Sequence, residues 1–253
     1  MSFPSVPKEE FVAEYLKRIG YRGGTTPCLT TLQDLQCYHV GAVPFENLAL
    51  LEPFFPDLDR DYLFDKIVAG RRGGVCYELN TAFYHLLEAM GFDVCHMQAL
   101  VVPGNDLFMH LVSVVHLPEG DFLTDVAFDR FVPPIRIHSN PTFAHGVRYS
   151  LVYTDEKVAE VVRCFPGMEP ERLYTLFLVP CEEQDYLDRF DRIAVRESSF
   201  FRESPFCAIH TPQSTTILRE QVLTVEKNGK ETYRRTIAPG AETQRCLKEY
   251  FNL

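Results

Sequence analysis

No stretch of the sequence approaches the ~18 uninterrupted apolar residues that a membrane-spanning helix needs. The first ten residues, Met1 to Glu10, hold no basic segment followed by an apolar core, so a secretory signal is not expected. None of the eight cysteines (Cys28, Cys37, Cys76, Cys95, Cys164, Cys181, Cys207 and Cys246) stands in a C-x-x-C pair, which argues against zinc ribbons and thioredoxin-like redox motifs. They are also too sparse for a secreted disulfide scaffold. The reading is a cytoplasmic protein with reduced thiols, most of them buried as small hydrophobes. Positive charge is scarce: 25 Lys and Arg against 35 Asp and Glu leave a net charge of −10. That balance disfavours nucleic acid and anionic membranes as partners. No two histidines stand at ligand spacing on a helix, so no metal is expected. No internal repeat or low-complexity linker is visible.

What remains is a chain of 253 residues, 46% hydrophobic and 24% charged, long enough for one large domain or two to three small ones with real cores. Its first third reads helical. Lys8 to Ile19 puts Phe11, Val12, Tyr15, Leu16 and Ile19 on one face, and Gly20 stops it. Thr31 to Val40 suggests a second short helix, and Tyr77 to Met90 a third, with Leu79, Phe83, Leu86, Leu87 and Met90 at helical spacing. The period then changes. Asp93 to Val102, Met109 to Leu117, Phe122 to Phe128 and Tyr149 to Tyr153 are β-branched and aromatic runs, as in a small barrel or curled sheet. Later, Val222 to Glu226 and Glu231 to Ile237 flank an Asn228-Gly229 hairpin signal, and a helix over roughly Ala241 to Phe251 closes the pattern.

Chemistry concentrates at Arg71-Arg72-Gly73-Gly74-Val75-Cys76-Tyr77-Glu78-Leu79-Asn80. Two glycines permit a tight turn directly before the long helix, so Cys76 falls at or near a helix N-terminus. Unpaired N–H groups and the helix dipole there favour an anion, the condition for a nucleophilic thiolate. The same groups suit an oxyanion formed by attack on an acyl carbonyl. A nucleophilic cysteine needs a base, and the base needs an orienting group. The runs 109–117 and 122–128 should pair as a hairpin. With a loop of two or four residues, His110 and Asp125 share a face. In one such register His110 faces Ala127, and Asp125 is its diagonal neighbour at ~7–8 Å. A carboxylate inside the apolar run Phe122 to Phe128 calls for a partner, and His110 is the best placed. His116 shares the parity of His110 and is the runner-up. His85 lies about two and a half turns beyond Cys76, too far along the helix axis to serve it.

These residues resemble a known family. Arg72-Gly73-Gly74-Val75-Cys76-Tyr77-Glu78-Leu79-Asn80 is similar to the R-G-G-x-C-x-E-x-N motif of the arylamine N-acetyltransferases. Tyr15 to Tyr21 and His39 to Leu48 resemble two further signatures of that family. Met109 to Val112 and Thr124 to Phe128 resemble its histidine and aspartate strands, in the same order. The resemblance implies an α+β fold: a helical bundle over residues 1–90, a central antiparallel β-barrel over 91–190 and an α/β lid over 191–253. At its core stands a cysteine-protease-like Cys-His-Asp triad. It implies a ping-pong reaction in which acetyl-CoA, as cosubstrate, acetylates Cys76 and an arylamine, arylhydrazine or N-hydroxyarylamine takes the acetyl group. His110 then pairs with the Cys76 thiolate, and Asp125 orients His110. Val75, Phe45, Phe128, Asp129 and Arg130 become the expected substrate contacts, with Phe128 against the acceptor ring. Arg72, Glu78 and Asn47 are expected to hold the motif's shape, and no permanently bound cofactor is implied. Relatives usually read D-V-G-F-G where this chain has Asp125-Val126-Ala127-Phe128-Asp129. The carboxylate of Asp129 is therefore expected to disfavour acceptors that carry one themselves. The alternatives are an amide synthase using a larger acyl donor on the same triad, a thiol hydrolase, and a non-catalytic binding module. The presence of all three triad residues argues against the last.

Overall fold

A computed structural model of the protein describes residues 6–52, 57–102, 109–128, 130–139, 141–195, 202 and 204–253. The N-terminal helices are α1 (Lys8–Ile19), α2 (Leu29–Ala42), the short α3 (Arg60–Leu63) and α4 (Cys76–Ala89). Helix α1 keeps the expected bounds and buries Phe11, Tyr15 and Ile19. Gly20 ends it in the left-handed region at φ 76°, where a side chain would be strained. Helix α2 extends beyond the expected Thr31 to Val40, because Cys28 is extended at its start and the chain leaves the helix only at Val43, before Pro44. After α3 the chain makes one turn of π-helix over Phe64–Ala69. The buried Arg18 guanidinium secures this region by donating to the carbonyls of Ile67, Ala42 and Arg71.

The middle of the chain forms an eight-stranded antiparallel sheet. Its strands are β2 (Asp93–Leu100), β3 (Met109–Leu117), β4 (Gly120–Thr124), β5 (Ile135–Arg136), β6 (Thr142–Ala144), β7 (Val147–Asp155), β8 (Val158–Cys164) and β9 (Glu171–Pro180). Their order is β5-β4-β3-β2-β9-β8-β7-β6. The sheet curls around Met97, Val112, Val114, Leu123, Val161 and Leu176 until β5 comes against β7, where the Tyr153 hydroxyl accepts the His138 N–H. Two expected strands are shorter. The run from Asp93 leaves the ladder after Leu100. The run expected over 122–128 begins at Gly120 and stops at Thr124, because Asn80 captures the Val126 N–H and the Asp125 carboxylate captures those of Ala127 and Phe128.

A second sheet combines β10 (Phe206–His210), β11 (Ser214–Arg219), β12 (Val222–Lys227) and β13 (Lys230–Thr236) with β1 (Phe45–Glu46), in the order β1-β10-β11-β12-β13. The β12–β13 hairpin turns at Asn228 and Gly229, both at positive φ, as its two-residue loop requires. Helix α6 (Ala241–Phe251) packs Cys246, Leu247 and Phe251 on this sheet. The first 90 residues thus contribute a strand to the C-terminal sheet. Helix α5 (Glu183–Val195) crosses the expected boundary at 190 and returns to α4, stacking Phe190 on Tyr77. Among the described residues no helix is long and apolar enough to cross a membrane.

Candidate active site

The loop before α4 requires glycine for space rather than for unusual dihedrals. A Cβ on Gly73 would stand 1.9 Å from the Pro44 carbonyl oxygen, and one on Gly74 2.7 Å from Glu78 Oε2. The close approach lets Gly74 bridge to Phe45 and accept the Glu46 N–H at 2.9 Å. Charged neighbours brace the turn. Arg72 pairs with Glu46 at 2.8 Å. Glu78 takes the Val75 N–H on one oxygen at 3.0 Å and Lys66 on the other at 2.6 Å. Asn47 ties the loop to the second sheet, accepting the Phe206 N–H and donating to the Ser204 carbonyl. Gly73→Ala is therefore expected to force the loop away from Pro44 and destabilise the fold by at least about 2 kcal/mol. For a chain of this size that is a Tm lower by roughly 4–8 °C in calorimetry.

Cys76 is the first residue of α4 and 5% exposed. Its thiol faces the buried His110 ring closely enough to favour the ring's charged form. His110 Nε2 is 2.8 Å from Asp125 Oδ2, which leaves Nδ1 as the ring nitrogen available to Cys76. The register explains the meeting. Ser113 pairs with Thr124 and Leu117 with Gly120, so His110 lies three residues beyond the last rung and Asp125 one residue beyond it, on the same face. Asp125 Oδ1 accepts the N–H groups of Ala127 at 3.0 Å and Phe128 at 3.2 Å.

The electrostatics favour a charged pair. Burial alone would push the His110 ring down. The Asp125 charge and hydrogen bond, followed by the contact with Cys76, more than offset this and hold the ring at about 10. Burial would likewise raise Asp125. The His110 charge, the Ala127 N–H and the Asn80 amide instead keep it below the usual carboxylate range. The pair's contribution to stability is thus full between the two ordinary values. It fades as pH rises through about 10, where His110 loses its proton, and as pH falls through the depressed value of Asp125.

Sequence reading missed two residues of this site. Asn80 follows Cys76 by four positions and so projects from the same face of α4. Its amide donates to Asp125 Oδ1 at 3.2 Å and to the Leu111 carbonyl at 2.6 Å, and its oxygen accepts the Val126 N–H at 3.0 Å. The i, i+4 spacing within the motif was the available signal. Tyr174, buried on β9, sets its ring 5.3 Å from His110 and 5.1 Å from Phe128. Its hydroxyl lies against the Asp125 carboxylate in a looser geometry than the bonds above. Nothing in the local sequence separates it from an ordinary core tyrosine. Asn80→Ala removes both an acceptor and a donor from the aspartate turn. It is expected to slow transfer by about tenfold or more, equivalent to about 1.4 kcal/mol, in steady-state kinetics.

The expected substrate contacts are placed unevenly. Val75 and Phe45 are buried beside the nucleophile loop, with Phe45 edge-on to Phe206 at 5.5 Å. Phe128 is half-buried and meets the His110 ring edge-on at 5.7 Å. Arg130 lines a cleft with Arg163, Thr211 and Asn228, between the barrel and the β12–β13 hairpin. Asp129 lies outside the described residues. Among the described residues no group of three or more His, Cys, Asp or Glu side chains is placed to hold a metal ion.

The chain is similar to known proteins over most of its length. Residues 28–253 match the family model described as N-acetyltransferase. An arylamine N-acetyltransferase of Mycolicibacterium smegmatis is 32% identical over 229 residues, covering 85% of this chain and 82% of the relative. The proansamycin X synthase of Amycolatopsis mediterranei is 28% identical over 240 residues, covering 88% of this chain and 90% of the relative. The arylamine N-acetyltransferase of Mycobacterium marinum, solved in complex with CoA, superposes with a TM-score of 0.86 at 25% identity, over 95% of this chain and 92% of that one. The chain therefore belongs to the arylamine N-acetyltransferase family.

Proposed function

We propose that this transferase carries an acetyl group from acetyl-CoA to an arylamine, arylhydrazine or N-hydroxyarylamine through an acetyl-cysteine at Cys76. In the first half-reaction Cys76 Sγ attacks the thioester carbonyl, with its proton held by His110. N–H groups of the first turn of α4, which lack helical partners, stabilise the oxyanion. The carbon–sulfur bond to CoA breaks, and CoA leaves as the thiol. In the second half-reaction the acceptor nitrogen attacks the acetyl carbonyl. His110 removes its proton, the amide forms and Cys76 is released. Asp125 keeps the imidazole oriented and supports its charge, while Phe128 and Tyr174 exclude water from the ring. The observation that carries this reading is the His110 ring set between the Cys76 thiol and Asp125, at a helix N-terminus.

The proansamycin X synthase favours a second reading, because it is similar over nine-tenths of its own length. On that reading the triad forms an amide from a larger acyl donor. Intact mass spectrometry separates the two. One acetyl group is expected on Cys76 within the dead time after mixing with acetyl-CoA, and it should be lost on adding an aniline. No acetyl-CoA adduct, together with turnover of longer acyl thioesters, would transfer the assignment to the second reading.

A further inference from the structure

A second Cys-His-Asp series lies at the turn end of the β3–β4 hairpin, with its cysteine on the neighbouring strand β2. His110 and His116 are both even positions of β3 and share a face, about 20 Å apart along the strand. On the neighbouring strands Asp93 and Asp121 stand directly opposite His116, and Cys95 is its diagonal neighbour. Cys95 Sγ is 3.6 Å from His116 Nε2, and His116 Nδ1 is 2.7 Å from Asp121 Oδ1. The connectivity is thiol, ring nitrogen, opposite ring nitrogen, carboxylate. Cys95 is half-buried at the rim of the barrel core, while the His116 and Asp121 side chains are 39% and 51% exposed, so solvent reaches the series.

An exposed histidine–aspartate pair contributes little to stability. It does fix the tautomer: a proton on Nδ1 directed at Asp121 leaves Nε2 as a lone-pair acceptor facing the thiol. Cys95 needs such an acceptor. Burial, then the charges of Asp93 and Asp121, push its thiol up, so it does not react as a free thiolate near neutral pH. Once deprotonated, a thiolate of raised pKa is the stronger nucleophile.

We propose that Cys95 is a second acyl-accepting thiol, modified by small acyl thioesters from solvent with His116 as the base and Asp121 as its positioning residue. Sγ attacks the thioester carbonyl carbon while the thiol proton passes to His116 Nε2. The donor's carbon–sulfur bond breaks, and the leaving thiolate recovers the proton from His116 and departs as the free thiol. The product is S-acyl-Cys95, with no change of oxidation state. Cys95 sits inside a strand rather than at a helix N-terminus, so it lacks the oxyanion donors available to Cys76. The series is therefore a modification site and not a second turnover site.

The test uses the full-length Cys76→Ala protein, so that its outcome is independent of the acetyl-cysteine assigned above. The donor is the acetyl thioester of N-acetylcysteamine, and acylation rates are read by peptide mapping. Cys37 and Cys181 serve as internal controls, being half-buried thiols pushed up by burial as Cys95 is. Cys95 is expected to acylate at least about tenfold faster than either control. His116→Ala or His116→Gln should remove that advantage, and imidazole in the buffer should restore it to the alanine variant. Asp121→Asn should slow acylation without moving Tm. Acylation of Cys95 no faster than of Cys37 and Cys181, or a rate unchanged by loss of His116, overturns the proposal.

Discussion

Asp125→Asn is expected to lower transfer by about 10⁴-fold while leaving the fold intact, because the amide preserves the shape of the turn and removes its charge. Asp125 is the largest influence opposing the burial of His110. Without its charge the desolvated ring falls below its ordinary value and is neutral at pH 7, so the imidazolium that faces Cys76 is lost. Two measurements read the same variant. Kinetics should show the loss in kcat/KM, and NMR titration should show the His110 ring moving from above its ordinary value to below it. Normal turnover together with an unmoved ring would mean that His110 takes its orientation from another group.

Cys76→Ala should abolish acyl transfer altogether. In the proposed reaction the acetyl carbonyl carbon bonds to this sulfur, and among the described residues no other thiol stands at the start of α4 beside His110. Cys76→Ser should be nearly as inactive, because a hydroxyl is a far weaker nucleophile than a thiolate beside the same imidazole. Thermal melts should remain close to wild type in both variants, since each replaces one small buried side chain by another. Acetylation of Cys76→Ala at any cysteine that then passes the group to an aniline at the wild-type rate would remove Cys76 from its assigned role.

Much of this geometry could be read from the sequence, and the reasons are local. The bounds of α1, β3 and α6 follow from an apolar period closed by glycine, proline or asparagine, and the structure keeps them. The meeting of His110 and Asp125 follows from parity, because a one-residue slip in β3–β4 would send one of the two to the other face. What was not legible depends on contacts distant in sequence. Tyr174 reaches Asp125 from β9, across the curled sheet, and no pattern near Tyr174 announces it. β1 is two residues long and exists because β10, some 160 positions later, pairs with it. The role of Gly73 lay partly hidden as well. Its turn could be read, but the Pro44 carbonyl that forbids a side chain there comes from a separate segment.

The same logic sorts the remaining thiols. Cys207 is fully buried in the second sheet, and burial pushes it above the usual thiol range, so it offers no competition for a soluble reagent. Cys28 is the real competitor. It stands half-exposed at the start of α2, and hydrogen bonds from the Thr31 hydroxyl and backbone draw its thiol below the usual value. A lowered thiol alone would favour Cys28. The surroundings of the two thiols favour Cys76, because only Cys76 combines a helix N-terminus with an adjacent imidazolium.

Limiting iodoacetamide near pH 7, followed by peptide mapping of all eight cysteines, tests that distinction most directly. Cys76 should be alkylated first, with loss of transfer in proportion, and preincubation with acetyl-CoA should protect it while leaving the labelling of Cys28 unchanged. Alkylation of Cys28 ahead of Cys76, with transfer surviving, would contradict the assignment of Cys76 as the activated thiol.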